Sequence, residues 1–145
     1  MAKQIVVALD GSESSFEALD TAATMAKAMG RELALLHVYP HSPAASATMS
    51  GLSEISRESL EELKAQSGKE VFGAAEGKLG SSQSVAARHL LWGDPAEEII
   101  GFMEEHPDTH LVMGRRGMSK IKRLVMGSVS DKVVRHAPGL VTIVS

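Results

Sequence analysis

Between Met113 and Pro138 the chain reads MGRRGMSKIKRLVMGSVSDKVVRHAP. Gly114, Gly117 and Gly127 punctuate this stretch, Ser128 and Ser130 follow the last glycine, and Arg115, Arg116, Lys120, Lys122 and Arg123 fill the span between. The run VSDKVVRHA has helical character and Pro138 ends it. Gly127, Ser128, Val129 and Ser130 would then offer unpaired backbone N–H groups at a helix N-terminus, where the helix dipole also favours an anion. Arginine adds a planar fork matched to phosphate oxygens. The chemistry in view is a grip on a phosphorylated ligand. A plainer reading stands beside it. Ser128 and Asp131 form an S-x-x-D capping box, which satisfies a helix start with no ligand. A carboxylate at Asp131 would oppose a bound phosphate unless it turned back onto the helix, and a run of charges ordinarily solvates a loop.

The elements that must position this segment show in the periodicity. The apolar runs QIVVAL, ELALLHV, SVAARHLL, THLVMG and LVTIV alternate with stretches of helical spacing. Phe16, Leu19, Ala22, Ala23, Ala26 and Met29 share one helical face, and Gly30 supplies the stop. A second helix is expected between Ser53 and Leu79, with a weaker second half because Gly68 and Gly73 interrupt it. A third opens at DPAEEI, where Asp94 is a natural N-cap, Pro95 suits the first helical position, and Glu97 and Glu98 favour the positive end of the dipole. A fourth begins near GSVSDKVV. Strands alternating with helices, several strands nearly all apolar, predict an α/β fold, a doubly wound parallel sheet covered on both faces. Ligands of such sheets lie beyond the carboxyl ends of the strands. That rule directs attention to Asp10-Gly11-Ser12, Val38-Tyr39-Pro40, Trp92-Gly93-Asp94 and Gly114-Arg115-Arg116-Gly117. The stretch PHSPAASATMSGL reads as the one long loop, a lid or a surface excursion.

Composition removes several functions. At 145 residues the chain is most simply one domain, able to bury roughly 70% of its unfolded surface. A net charge of -3 and 3% aromatic residues argue against wholesale nucleic-acid binding, leaving only local contact with a polyanion. Cysteine is absent, which excludes thiolate catalysis and cysteine-ligated zinc and fits a reducing cytoplasm. The run IVVAL is too brief for a signal peptide, and no stretch approaches membrane-spanning length, so a cytoplasmic protein without membrane insertion is expected. His106 and His110 are separated by Pro107 and do not share a helix face, so a histidine metal site is not expected. His37 and His89 are explained by strand positions and His136 by the dipole of the last helix. No Ser-His-acid order and no G-x4-G-K-[ST] sequence stands out.

Taken in order, IVVALDGSESS, LALLHVYP, GDPAEEII, LVMGRRG and MGSVSDKVVRHAPGLVTIV resemble the universal stress protein family over nearly the whole chain. The most specific element is G-x2-G-x9-G-S, met here by Gly114, Gly117, Gly127 and Ser128, which in that family marks the members that bind ATP. The resemblance implies a five-stranded parallel sheet of order 3-2-1-4-5 with two helices on each face. It implies that Asp10 takes the ribose hydroxyls or helps hold Mg on the phosphates, a residue whose propensity would equally suit capping the next helix. Val38 would meet the adenine edge through backbone groups, though a buried strand residue is the plainer account. Gly114 and Gly117 would admit sugar and phosphates, with Met113 and Arg115 in the same binding segment. Gly127, Ser128, Val129 and Ser130 would donate to phosphate oxygens.

The function so implied is a nucleotide-dependent regulatory or stress-response protein that holds ATP, or ADP or AMP, and hydrolyses it slowly if at all. ATP pyrophosphatases of related fold carry S-G-G-x-D-S where this chain has DGSESS, so adenylating chemistry is not expected. Two alternatives stay open: a nucleotide-independent interaction module, and a phosphohydrolase. A homodimer through the edge strand Leu140 to Val144 is also expected, because an open apolar edge invites antiparallel pairing.

Overall fold

The computed structural model describes residues 4–40, 56–116 and 126–145. Its strands are β1 (Gln4–Ala8), β2 (Leu33–Pro40), β3 (Ala87–Gly93), β4 (Thr109–Gly114) and β5 (Leu140–Val144). Its α-helices are α1 (Glu13–Met29), α2 (Ser56–Leu79), α3 (Pro95–Glu105) and α4 (Ser128–His136), with a 3₁₀ turn at Gly80–Ser82. The strands form one parallel sheet in the order β3-β2-β1-β4-β5. The chain therefore winds outward in one direction through β1, β2 and β3, then returns past β1 to lay down β4 and β5. That reversal leaves a crevice between the carboxyl ends of β1 and β4.

Alternation along the strands decides which helix covers which face. Ile5, Val7, Leu33, Leu35 and Val112 point to the side on which α1 contributes Leu19 and Ala22, and α2 contributes Phe72 and Ala75. Val6, Leu36, Leu111 and Met113 point the other way, onto Ile99, Phe102 and Met103 of α3 and Val133 of α4. With both faces covered, β4 is buried along its whole length. That is why its sequence is a continuous apolar run and not an alternating one.

The helix boundaries follow local chemistry. Ser12 caps α1, its Oγ accepting from the Ser15 amide at 3.1 Å, and Gly30 ends the helix in the left-handed region at φ 64°. Asp94 caps α3 by accepting from the Glu97 amide at 3.0 Å, with Pro95 in the first turn. One expectation needs correction. The second half of α2, called weak because of Gly68 and Gly73, is helical through to Leu79. The reason at Gly68 is close packing: a Cβ there would lie 2.9 Å from Leu90 Cδ2 of β3. The glycine lets helix and strand approach, and the packing outweighs the propensity cost of about 1 kcal/mol. The loop PHSPAASATMSGL lies outside the described residues from His41 onward. No helix among the described residues is long and apolar enough to cross a membrane.

Candidate functional site

The crevice at the carboxyl edge of the sheet opens into a cleft of about 470 Å³. That is within the range of small-ligand sites, ~300–1,000 Å³. The ends of β1, β2 and β4 supply its floor through Leu9, Asp10, His37, Val38, Met113 and Gly114. One wall comes from α2 at Ser67 and Val71, another from Pro95 and Ile99 of α3, and Gly127, Ser128, Val129 and Ser130 close the remaining side. Asp10, Val38, Met113, Gly114, Gly127, Ser128, Val129 and Ser130, singled out from the sequence, are thus brought to one concavity. Gly117, Lys120, Lys122 and Arg123 lie outside the described residues.

The start of α4 carries the polar chemistry of the cleft. Gly127 occupies the N-cap position in extended backbone, and no side chain caps the helix. Two details of the sequence expectation change. The Gly127 amide is not unpaired: it donates to the Arg115 carbonyl at 2.8 Å. The Ser130 hydroxyl is also engaged, donating to that same carbonyl at 2.6 Å, and Ser130 is 2% exposed. The amides of Ser128, Val129 and Ser130 are left, with no acceptor among the described residues. The capping box is not formed either. Ser128 is the first residue of the helix and not its cap, and Asp131 turns to Arg135, whose Nε donates to it at 3.0 Å. The one carboxylate of the first turn is thereby held by a cation one turn further along.

Arg115 acts here through its backbone. Its amide donates to the Val144 carbonyl at 2.9 Å and its carbonyl receives Gly127 and Ser130, so it ties β5, the end of β4 and α4 together. Its side chain has Nε buried without a partner among the described residues, and Arg116, not Arg115, lines the cleft. Gly114 needs its missing side chain for packing against α1. A Cβ at Gly114 would stand 2.8 Å from the Ser14 carbonyl oxygen and closer still to Ser14 Oγ.

Asp10 does not cap α1 directly. Its Oδ1 receives both the amide of Ser12, at 2.9 Å, and the Ser12 hydroxyl, at 2.5 Å, which aims Ser12 at the helix. Oδ2 accepts nothing among the described residues, and Asp10 is exposed at the cleft edge. Val38 is 7% exposed and packs on the α3 side of the sheet.

Sequence reasoning missed the far wall. His37, 4% exposed, spans from β1 to α2, with Nδ1 2.7 Å from the Leu9 carbonyl and Nε2 2.8 Å from Ser67 Oγ. Phe72 meets the ring edge-on, with centroids 6.2 Å apart. A signal for Ser67 was present in the sequence: it occupies an i, i+4 series with Val71 and Ala75, a serine on an otherwise apolar helical stripe. The partnership with His37, thirty positions earlier, was not visible. The two histidines whose protonation is disfavoured, His89 by burial and then His106, His110 by burial and then Arg31, do not line the cleft.

Comparison with known proteins agrees with this architecture. The universal stress protein family matches residues 1–145. Universal stress protein YxiE of Bacillus subtilis (strain 168) is 32% identical over 136 residues, covering 92% of each chain. Among solved structures, a universal stress protein from Archaeoglobus fulgidus in complex with dAMP superposes with a TM-score of 0.66 at 20% identity, over 100% of this chain and 98% of that one. A universal stress protein in complex with cAMP does so with a TM-score of 0.60 at 24% identity, over 99% and 96%.

Proposed function

The chain belongs to the universal stress protein family, and from that premise we propose that it binds an adenine nucleotide in the cleft at the carboxyl edge of its sheet and acts as a nucleotide-dependent regulatory protein. The observation that carries this reading is the bare start of α4. Ser128, Val129 and Ser130 line the cleft with amides that no described residue accepts, on a helix whose dipole favours an anion there. The spacing of Gly114, Gly117, Gly127 and Ser128 adds the family's ATP-binding motif, and two solved structures of this fold hold adenine nucleotides, dAMP and cAMP.

The residues fit such a ligand. Val38, Pro95 and Ile99 give one part of the cleft an apolar lining suited to a base, while the amides of α4 and Arg116 give another part polarity suited to phosphates. ATP is the nucleotide proposed, with ADP and AMP as its shorter forms. Asp10 offers the oxygen Oδ2 to the ribose or to Mg, which is ordinarily held by one or two carboxylates together with the nucleotide's own phosphates. Calorimetry with ATP and Mg tests the reading: saturable binding in the micromolar range or tighter is expected, and its absence overturns it. Mass spectrometry of the small molecule released on denaturation then names the resident nucleotide.

The role is regulatory, with slow ATP turnover at most and a cytoplasmic place of action. The outer edge of β5 supports dimerisation: the strand has β4 on one side and no strand on the other among the described residues, and Leu140 at its start is 56% exposed. Two copies pairing antiparallel there would continue the sheet. Sedimentation at increasing concentration is expected to show the dimer. The same edge favours a second reading, an interaction module indifferent to nucleotide, which a nucleotide-blind variant with unchanged partner binding would support.

A further inference from the structure

We propose that His89, Phe102 and His106 form an acid-released latch that fastens the edge strand β3 to the last turn of α3. The latch is built of three rings. Phe102 stacks on His106, four residues further on, with centroids 4.1 Å apart and planes at 18°. His89 of β3 leans on Phe102 with 4.7 Å between centroids, and its ring stands 5.9 Å from that of His106. Phe102 is buried in the core on this face of the sheet. His106 is held by the Phe102 carbonyl, which receives both its backbone amide and its Nδ1 at 2.9 Å. A carbonyl only accepts, so that Nδ1 carries a hydrogen, and Nε2 is the nitrogen of His106 left to gain or lose a proton.

His89 has no such partner. Its Nε2 is buried and makes no hydrogen bond among the described residues. A charged ring would carry a hydrogen on that nitrogen with nothing to receive it, a cost the neutral ring can avoid. No carboxylate pairs with His89 among the described residues. The ionisable groups on the elements around it are engaged elsewhere or face water. On β3, Arg88 is held by Glu76 of α2 on the other face of the sheet. On β2, His37 bonds Leu9 and Ser67, and Tyr39 meets Trp92. On α3, Asp94 caps the helix, Glu97 meets Lys132 of α4 and Glu98 lies against Gly93. Glu104, Glu105 and Asp108 are exposed. His106 remains, a group of the same sign when charged. Burial, and after it His106, hold His89 below the ordinary histidine range.

In an opened or unfolded chain His89 takes its proton near pH ~6.5, so those forms bind it more readily than the closed one. The latch is therefore whole above about pH 6.5 and loses strength as the pH falls below that value. β3 is the element free to give way, since it has β2 on one side and no strand on the other among the described residues. α3 carries the consequence to the cleft, whose wall includes its Pro95 and Ile99. Acid thus loosens that wall from its far end, whatever ligand the cleft holds.

Hydrogen exchange on the full chain, at about pH 7.5 and about pH 5.5 and corrected for the intrinsic rate, reads the latch directly. Amides of β3 and of the last turn of α3 are expected to open about three- to tenfold more often at the lower pH, about tenfold being the limit for one histidine over one pH unit. His89→Phe, which keeps a ring and takes no proton, is expected to remove that rise. His110, held below the ordinary range by burial and then by Arg31, bonds Thr142 of β5. Its own acid response belongs to β4 and β5, and His89→Phe is expected to leave it in place. Equal opening of β3 and α3 at the two pH values in the intact chain, or an undiminished rise in folded His89→Phe, overturns the latch. Where His89→Phe does not fold, an NMR titration of the histidine rings in the intact chain decides. A His89 midpoint below about 6.5 supports the latch, and a midpoint at or above it overturns the latch.

Discussion

Of the helices that begin at the cleft, α1 and α4 begin in opposite ways. At the start of α1, Ser12 caps the Ser15 amide, the Ser15 hydroxyl returns a bond to the Ser12 carbonyl at 2.8 Å, and Asp10 receives the amide and hydroxyl of Ser12. That first turn also seats against Gly114 so closely that no Cβ fits between them. At the start of α4 the cap position is a glycine, the nearest carboxylate has turned to Arg135, and the amides of Ser128, Val129 and Ser130 have no acceptor among the described residues. The first start is sealed and helps hold the fold. The second forgoes the stabilisation a side-chain cap would add over glycine, roughly a few tenths of a kcal/mol, and leaves its donors open to the cleft. A helix end reads as a binding element through what it leaves unmet, and the contrast with its neighbour makes that visible.

Four substitutions probe the contrast, taken from the largest effect down. Gly114→Ala attacks the sealed start: its Cβ would meet the backbone of Ser14 at 2.8 Å, which α1 can relieve only by moving, and a loss of about 3 kcal/mol is expected in urea denaturation. A loss under about 1 kcal/mol would mean the two elements are less tightly seated than described. Gly127→Asp closes the open start. Position 127 has φ -63° and ψ 154°, which any residue adopts, so an aspartate there can cap α4. Stability is expected to rise by a few tenths of a kcal/mol while ATP affinity falls about 100-fold, the carboxylate taking the donors and repelling phosphate. Unchanged affinity would show that these amides do not meet the ligand.

Ser12→Ala opens the sealed start by removing the oxygen that receives the Ser15 amide, at an expected cost of about 1 kcal/mol in thermal or chemical unfolding. Asp131→Ala has the smallest effect. The Asp131–Arg135 pair is exposed and spans i, i+4, so its loss is expected to cost about 0.3–0.5 kcal/mol. A cost near 1 kcal/mol would instead indicate a capping role for Asp131, contrary to the geometry.

The parallel strands and the helix positions were legible because their determinants are local or repetitive, whereas the sheet order, borne out by the structure, was implied by the family resemblance. Apolar runs mark buried parallel strands, and Asp94-Pro95 and Gly30 mark helix ends that the structure places where expected. Less legible was everything decided by one element approaching another. Gly68 reads as a helix breaker until Leu90 is seen lying against it, and Gly114, which does line the cleft, turns out also to be needed for the close approach of Ser14, which fills the space its Cβ would take. Ser128 and Asp131 have the spacing of a capping box, yet the helix starts one residue too early for it and Arg135 takes the carboxylate. The His37–Ser67 bond joins residues thirty positions apart, which no periodicity records. For the segment between Arg116 and Met126, sequence remains the guide to Gly117 and the basic residues around it.

Arg115 donates its amide to Val144 of the outermost strand and accepts with its carbonyl from Gly127 and Ser130. A displacement of the rim strand at Val144 is therefore carried to the mouth of the cleft across two adjoining peptide planes that share one Cα.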